Sequence, residues 1–371
     1  MTRPVLLTLA ATVVATTIAS LLAIGVERPP FSASGAALTP PVDPGNNGSY
    51  QVGAARQSFT RLSSTNGQPQ RLDVVVWYPA KLGTLAPALD EVLAAPVDAD
   101  ADRSGAPYPI VFFSHGTGGV PWSATYLTTH LASHGFVVIA PAHYGSSIAA
   151  GCPVPCSVSN PSARPLIVDS ITNRPDELIF LLDQQTGRAD GDPRFDGLID
   201  ATSAGLVGHS FGGHTVLHTA ARDHRFRAVV AFAPWNHPPG PPRLADAIPR
   251  LVGPTMLMSG VLDDLVSHGQ TRSLMDEFGS TAPERWHLTM PRAGHFAFID
   301  PCPGGRAGCG PTGLPQDRAH ALISHWTTAF LRRHVARDER YAVFLDPALA
   351  AADSDLQIAY VPASKAWLRL P

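Results

Sequence analysis

Lysine is almost missing from this chain: Lys81 and Lys365 are the only two among 27 Lys and Arg residues. Thirty Asp and Glu residues leave a net charge of −3. With no basic excess to neutralise phosphates, no nucleic-acid partner is expected. No internal repeat occurs, which excludes solenoid architectures. The 36 Pro and 32 Gly residues follow no period, which excludes a collagen-like chain. Cysteine is limited to four residues, and neither close pair shows the two-residue spacing of a zinc knuckle, so no metal is expected. What the chain does have is apolar residues, 44% of 371, enough for a sizeable core and too many for wholesale disorder. At ~100–200 residues per domain, that length allows one large domain or two small ones.

The N-terminus reads as a targeting segment. Arg3 precedes an uncharged apolar stretch, Val5 to Val26, the order of a positive n-region and an h-region. Residues 1–26 are therefore expected to be a signal peptide. The stretch 5–26 is long for one, and an uncleaved membrane anchor is the alternative. Residues 27–53 are rich in Pro, Gly and Ser and read as a linker. No cysteine lies beside the h-region, so nothing marks a lipid-modified N-terminus. The cysteines instead fall in two Pro/Gly-rich loops, Cys152 with Cys156 and Cys302 with Cys309. An even count in an exported chain suggests disulfides; of the three connectivities, local pairing is the simplest.

Residues 54–371 read as one alternating α/β domain. Arg71–Tyr78, Ile110–Ser114, Gly135–Ala140, Gly205–Gly208, Arg227–Ala233, Thr255–Ser259 and Trp286–Met290 are short apolar runs expected as strands. Helical spacing is seen over Thr125–Ser133, Asp176–Gln184, His214–Arg222 and His320–His334. Buried strands alternating with helices imply a mostly parallel sheet covered on both faces.

Gly208-His209-Ser210-Phe211-Gly212-Gly213 fits G-x-S-x-G between a strand and a helix, the context in which a serine is presented on a tight turn. Ser210 is the candidate nucleophile. His295, in Ala293-Gly294-His295-Phe296 after the last apolar strand, is the candidate base. The orienting carboxylate should lie between them in chain order. Asp263 stands there, closing Gly260-Val261-Leu262-Asp263 after the strand TMLMS, with Asp264 as its rival. The oxyanion site needs two backbone N–H donors. Phe211 should supply one and Thr117, in His115-Gly116-Thr117-Gly118-Gly119, the other. That loop lacks the Lys-Ser/Thr ending of a phosphate-binding loop. His214 and His218 are four apart on a helix but lack a third ligand, and His209 reads as a packing residue.

These segments resemble an α/β-hydrolase of the group that holds cutinase-like polyester hydrolases, dienelactone-hydrolase-like proteins and platelet-activating-factor acetylhydrolases. The likeness rests on YPIVFFSHGTGG, LVGHSFGGHT, GPTMLMSGVLDDLVS and AGHFAF, and covers about residues 50 to 346. It implies an α/β-hydrolase fold without a large lid domain and a triad of Ser210, Asp263 and His295. It also implies that Trp235 forms an aromatic wall of the acyl site. Thr117 departs from the aromatic residue that the polyester hydrolases often carry at its position, and Ser210 from the cysteine of true dienelactone hydrolases.

The reading that joins these observations is an exported serine esterase acting on lipid-like or polyester-like carboxylic esters, with no cofactor. An acyltransferase on the same triad is the alternative within enzymes; a non-catalytic binding protein on the same fold is the alternative outside them. Two segments bear on the substrate. Trp235–Pro249 is too short for a helical lid, and the long irregular stretch Pro141–Ile171 is expected to border the site.

Overall fold

Continuous apolar runs dictate the centre of this molecule. A strand flanked on both faces has no solvent side, so it reads as an unbroken run rather than as an alternation. YPIVFFS, VVIAP, FRAVVAF and TMLMSG are such runs, and nearly every residue in them is buried. The computed structural model describes residues 40–363 apart from 82, 84–87, 187–191 and 280–282. The expected targeting segment, and the expected linker as far as residue 39, lie outside the described residues. Residues Pro41–Pro371 form one compact unit.

Nine strands make the main path of the sheet: β1 (Gln51–Leu62), β2 (Pro69–Lys81), β3 (Tyr108–Ser114), β4 (Val137–Pro141), β5 (Ile199–His209), β6 (Phe226–Phe232), β7 (Thr255–Gly260), β8 (Arg285–Met290) and β9 (Gln357–Val361). Their order is β1-β2-β4-β3-β5-β6-β7-β8-β9, and a two-residue strand, Asp100–Ala101, also pairs with β2. The six strands from β4 to β8 in that order run parallel, while β1, β2 and β9 are antiparallel to their neighbours. Four helices flank the sheet: α1 (Thr125–Ser133), α2 (Arg164–Thr186), α3 (Phe211–Arg222) and α4 (Gln316–His334). Apolar side chains pack on each side of the sheet. One layer unites Val111, Phe113, Val138 and Val207 with Ile323 and Phe330 of α4; the other unites Ile110, Phe112 and Leu206 with Leu178, Leu181 and Val216 of α2 and α3. Each such side chain stabilises the fold by about 1.5–3 kcal/mol through its removal from water.

This is the α/β-hydrolase fold expected from the sequence, with its antiparallel strands at the edges. The packed structure includes part of the segment expected as a linker: Gly48 N–H donates to Ser133 Oγ (2.8 Å), Tyr50 N–H donates to the Ser133 carbonyl (3.1 Å), and β1 begins at Gln51. The helix expected over Asp176–Gln184 begins twelve residues earlier, at Arg164, and runs through Pro175. The expected irregular stretch 141–171 is shorter by its last turns of helix.

The chain crosses from one side of β3 to the other between β4 and β5. Such a switch leaves a crevice at the carboxyl ends of β3 and β5, where open α/β sheets bind ligands. Ser210 follows β5 there, and the HGTGG loop follows β3. Between β6 and β7 lie a one-turn helix, Leu244–Ala247, and a 3-10 turn, and no lid domain. Among the described residues no helix is long and apolar enough to cross a membrane.

Histidine is unusually deeply placed. Burial holds His115, His214 and His287 down to about 3, and His134 and His218 to about 4. The unfolded chain protonates these imidazoles near 6.5. Below that pH it therefore binds more protons than the native state, and stability falls with pH. Each such group removes about 1.4 kcal/mol per pH unit until its folded value is reached. Glu177, whose carboxyl is pushed up by burial, works in the opposite sense over part of the range. The urea midpoint is expected to fall steeply between about pH 6.5 and pH 5; a flat profile over that interval would contradict the neutral, buried state of these rings.

Candidate active site

The Ser210 turn is built by close backbone approach. A β-carbon on Gly208 would lie 2.3 Å from the Gly212 carbonyl oxygen, and one on Gly212 would lie 1.7 Å from that of Ser114. Only glycine allows β5, the turn and the start of α3 to sit so near the end of β3. Ser210 occupies the apex with φ 56° and ψ −115°, a left-handed conformation that costs a serine roughly 1–3 kcal/mol and persists where the surroundings over-determine it. The surroundings do so: Ser210 N–H donates to the Phe232 carbonyl (2.8 Å), and the Ser210 carbonyl accepts from Trp235 N–H (2.9 Å) and His214 N–H (3.1 Å). Phe211 is the first residue of α3 and fully buried. Its N–H has no acceptor within the helix, and the helix dipole adds positive potential at that end.

Asp263 and His295 come together from the loops after β7 and β8. His295 Nδ1 donates to Asp263 Oδ2 at 2.8 Å, with both side chains withdrawn from solvent. Asp263 Oδ1 accepts from the N–H groups of Leu265 (2.9 Å) and Val266 (2.7 Å). With all these donors the carboxylate is fixed, and the bond to Nδ1 leaves Nε2 of His295 as the basic nitrogen. The rival Asp264 is exposed on the same turn.

A link between the serine turn and the histidine loop was not readable from the sequence. His209, expected as packing, donates from Nε2 to the His295 carbonyl at 2.9 Å. The two rings lie 4.7 Å apart. Burial holds the His209 imidazole well below its usual range, so it stays neutral and keeps that donor.

The HGTGG loop lies directly against the turn. A β-carbon on Gly116 would meet Ser210 Cβ at 3.3 Å. Thr117 is half-buried, one residue beyond this contact. Gly118 N–H donates to the Ser146 carbonyl (2.8 Å), which ties the loop to the segment after β4. That segment packs on the site: Cys152, Ala163, Ile167 and Ile171 cluster around Phe211, with Trp235 partly buried at their edge. The Trp235 indole stands edge-on to the Phe211 ring at 5.1 Å. The expected bordering of the site by residues 141–171 is therefore seen as packing against Phe211.

Both local disulfides are formed, Cys152–Cys156 and Cys302–Cys309. Each braces a loop of the site. A β-carbon on Gly118 would touch Cys156 Cβ at 3.1 Å, and one on Gly294 would lie 1.8 Å from the Ala307 carbonyl oxygen, inside the second ring and next to His295. His214 and His218 pack ring to ring at 4.5 Å, and His214 Nδ1 bonds the Trp235 carbonyl. Among the described residues no group of three or more potential ligands gathers to hold a metal.

A serine on a strained strand-to-helix turn, a carboxylate-held imidazole from a later strand and a glycine-rich loop after β3 are the arrangement of an α/β-hydrolase. The model of the PET hydrolase-like family matches residues 166–359, more than half of the chain, and the chain belongs to that family. The model of platelet-activating factor acetylhydrolase, isoform II, matches residues 65–158. The chain is 26% identical to platelet-activating factor acetylhydrolase from Cavia porcellus, over 69% of this chain and 68% of that protein. Against the Bos taurus acetylhydrolase it is 28% identical, over 53% of this chain and 56% of that protein, little more than half its length. It is 27% identical to bis(hydroxyethyl) terephthalate hydrolase from Streptomyces coelicolor, over 67% and 70%. In fold it resembles a ferulic acid esterase from Streptomyces cinnamoneus, with a TM-score of 0.64 and 21% identity over 83% of this chain and 96% of that one. These relatives place it in the esterase group of the α/β-hydrolases.

The geometry distinguishes the two neighbouring carboxylates. Asp263→Asn is expected to lower kcat by on the order of 10⁴, because an amide neither stabilises the imidazolium nor enforces the tautomer. Asp264→Asn, on an exposed side chain, should leave kcat within about threefold. Steady-state kinetics of both purified variants check this ordering.

Proposed function

We propose that this protein is an exported serine esterase that hydrolyses bulky or apolar carboxylic esters. The observation that carries the reading is the buried Asp263–His295 pair coupled through His209 to the strained Ser210 turn. Ser210 Oγ attacks the ester carbonyl while His295 Nε2 takes its proton. Asp263 holds the ring and stabilises the imidazolium. The N–H groups of Phe211 and Thr117 receive the charge that develops on the carbonyl oxygen. The tetrahedral adduct expels the alcohol, protonated by His295, and leaves an acyl-serine. Water, activated by the same imidazole, then releases the acid and restores Ser210. The family's esterases support the bond cleaved.

Exposed apolar side chains on two segments that leave the same end of the sheet as Ser210 support the substrate class. Tyr144, Ile148 and Val154 are exposed on the segment after β4, and Val261, Leu262 and Leu265 on the turn after β7. Both segments leave the carboxyl end of the sheet, as Ser210 does. With no lid domain between β6 and β7, an acyl chain or aromatic ester has an apolar bed beside Trp235, whose indole offers a large rigid face. Two disulfides support a protein that works in an oxidising, extracytoplasmic setting. Residues 1–26 would supply the leader that takes it there, or residues 5–26 an anchor that keeps it at a membrane.

Two measurements test the reading. A fluorophosphonate probe should label Ser210 in the parent and nothing in Ser210→Ala, which should lose roughly 10⁴–10⁶ of kcat while folding normally. More than a tenth of the parent activity in that variant would place the nucleophile elsewhere. Trp235→Ala should raise KM for bulky aromatic or long-chain esters at least about tenfold more than for acetate esters, the loss of an aromatic contact concentrated on large substrates. Equal effects on both would mean that residues 141–171 close over the indole and restrict the site to small acyl groups.

A further inference from the structure

One fully buried charged side chain does no work in the chemistry just described. Arg174 of α2 is fully buried, as is Glu177 one turn later. Two uncompensated ions in the interior each cost several kcal/mol, and apolar residues of similar volume would be as stable or more so. Yet Nε and Nη1 of Arg174 and Oε1 of Glu177 have no hydrogen-bond partner among the described residues. The pair is thus a poor stabiliser, and its contacts point elsewhere.

Nη2 of Arg174 donates to Ser114 Oγ (3.0 Å) and to the His115 carbonyl. The guanidinium carbon stands 4.3 Å above the centre of the Phe211 ring. One cation therefore touches the loop that carries Thr117 and the residue whose N–H is the other oxyanion donor. The remaining contacts form a directed chain. Glu177 accepts from His143 Nδ1 (2.5 Å), so His143 Nε2 is bare. It accepts from Ser114 Oγ (2.9 Å), whose lone pair in turn receives Arg174. Burial holds His143 well below its usual range, consistent with a neutral ring in this tautomer. His115 fits the same order: Nδ1 donates to the Gly116 carbonyl (2.7 Å), and Nε2 accepts from His143 N–H (3.3 Å). Cation and anion are joined through two neutral groups from the ends of β3 and β4.

We infer that Arg174 is a positioning residue of the esterase reaction: its guanidinium clamps the His115–Gly119 loop and Phe211 at one fixed separation, so that the Thr117 and Phe211 N–H groups converge on the same oxygen. Glu177, through His143 and Ser114, holds the guanidinium in that orientation. The inference rests on the reading of Thr117 and Phe211 as oxyanion donors. The clamp acts on charge that appears only in the transition state, so its loss should fall on kcat and spare KM.

The experiment compares the parent with Arg174→Lys and with Arg174→Met/Glu177→Gln, in which both buried charges are removed together and the glutamine oxygen still accepts from His143. Active-site titration with the fluorophosphonate probe gives kcat per competent site. Both variants are expected to lose roughly 10–100-fold in kcat, the effect of misplacing donors by a fraction of an ångström, with KM within about threefold. Binding of a trifluoromethyl ketone, which forms an oxyanion on Ser210, should weaken in parallel, while that of the matching methyl ketone should not. The double variant should keep the parent's melting temperature or exceed it. Arg174→Lys keeps a charge opposite Glu177 and so serves if the double variant does not fold. Parent-like kcat per site in either variant, or equal losses in kcat and in methyl-ketone binding, would overturn the clamp. A parent that the probe does not label at Ser210 would remove the esterase reading itself, and the clamp with it.

Discussion

The start of α3 lies so close to the end of β3 that the site depends on there being no side chain between them. The Ser114 carbonyl oxygen fills the space where a β-carbon of Gly212 would stand. That approach forces the chain to turn sharply between β5 and α3, and the turn places Ser210 at φ 56°. It also lays the first amide of α3 beside the loop that continues β3. The serine, its strained backbone and the nearness of the two donor segments are three results of one contact between main chains. The rest of the fold serves to hold it. β5 pairs with β3 and β6 on its two sides, and the Phe232 carbonyl at the end of β6 accepts the serine amide.

Much of this was legible because it is local in sequence. The glycines that permit the turn lie within four residues of one another, and the buried parallel strands announce themselves as apolar runs. Asp263 could be preferred over Asp264 from its place in the turn, and its carboxylate does meet His295. What stayed hidden is non-local. The helix is expected to begin at Asp176, directly after Pro175, because proline is disfavoured inside a helix. In the structure Pro175 lies inside α2, and the residues before it, Arg174 among them, are helical too. Nothing in the string ties Arg174 to Ser114, sixty residues away, or Glu177 to His143. The His209 bond to the His295 carbonyl spans 86 residues and uses a side chain that the motif leaves free to vary. β1 and β9 escaped for a different reason: they sit at the edges of the sheet, half in solvent, where β1 mixes polar with apolar residues and β9 is only five residues long.

Polarity is distributed unusually in this protein. Three histidines, His115, His143 and His209, and one arginine, Arg174, lie buried around the Ser210 turn and the loop after β3, and burial keeps the imidazoles neutral. A neutral imidazole is a donor at one nitrogen and an acceptor at the other, so it passes on a direction where an ion would only attract. The chain from Arg174 to Glu177 uses this property, and so does His209 between the serine turn and the base. Some apolar side chains are exposed instead, among them Ile148 and Val154 after β4 and Val261 and Leu265 after β7.

The division of labour among the loops has a consequence for how such a molecule can change. Ser210, Asp263 and His295 follow β5, β7 and β8, each close to the strand end that fixes it. The segment after β4 and the connection between β6 and β7 supply none of these three residues, and they meet where Trp235 packs against the cluster around Phe211. Beyond His143, Ser146 and the Trp235 amide, which brace the serine turn and the loop after β3, they can lengthen, shorten or exchange residues while those three side chains keep their coordinates. Selection for a new ester would act on these two adjoining margins of the site, and drift in either would alter what is accepted long before it altered what is done.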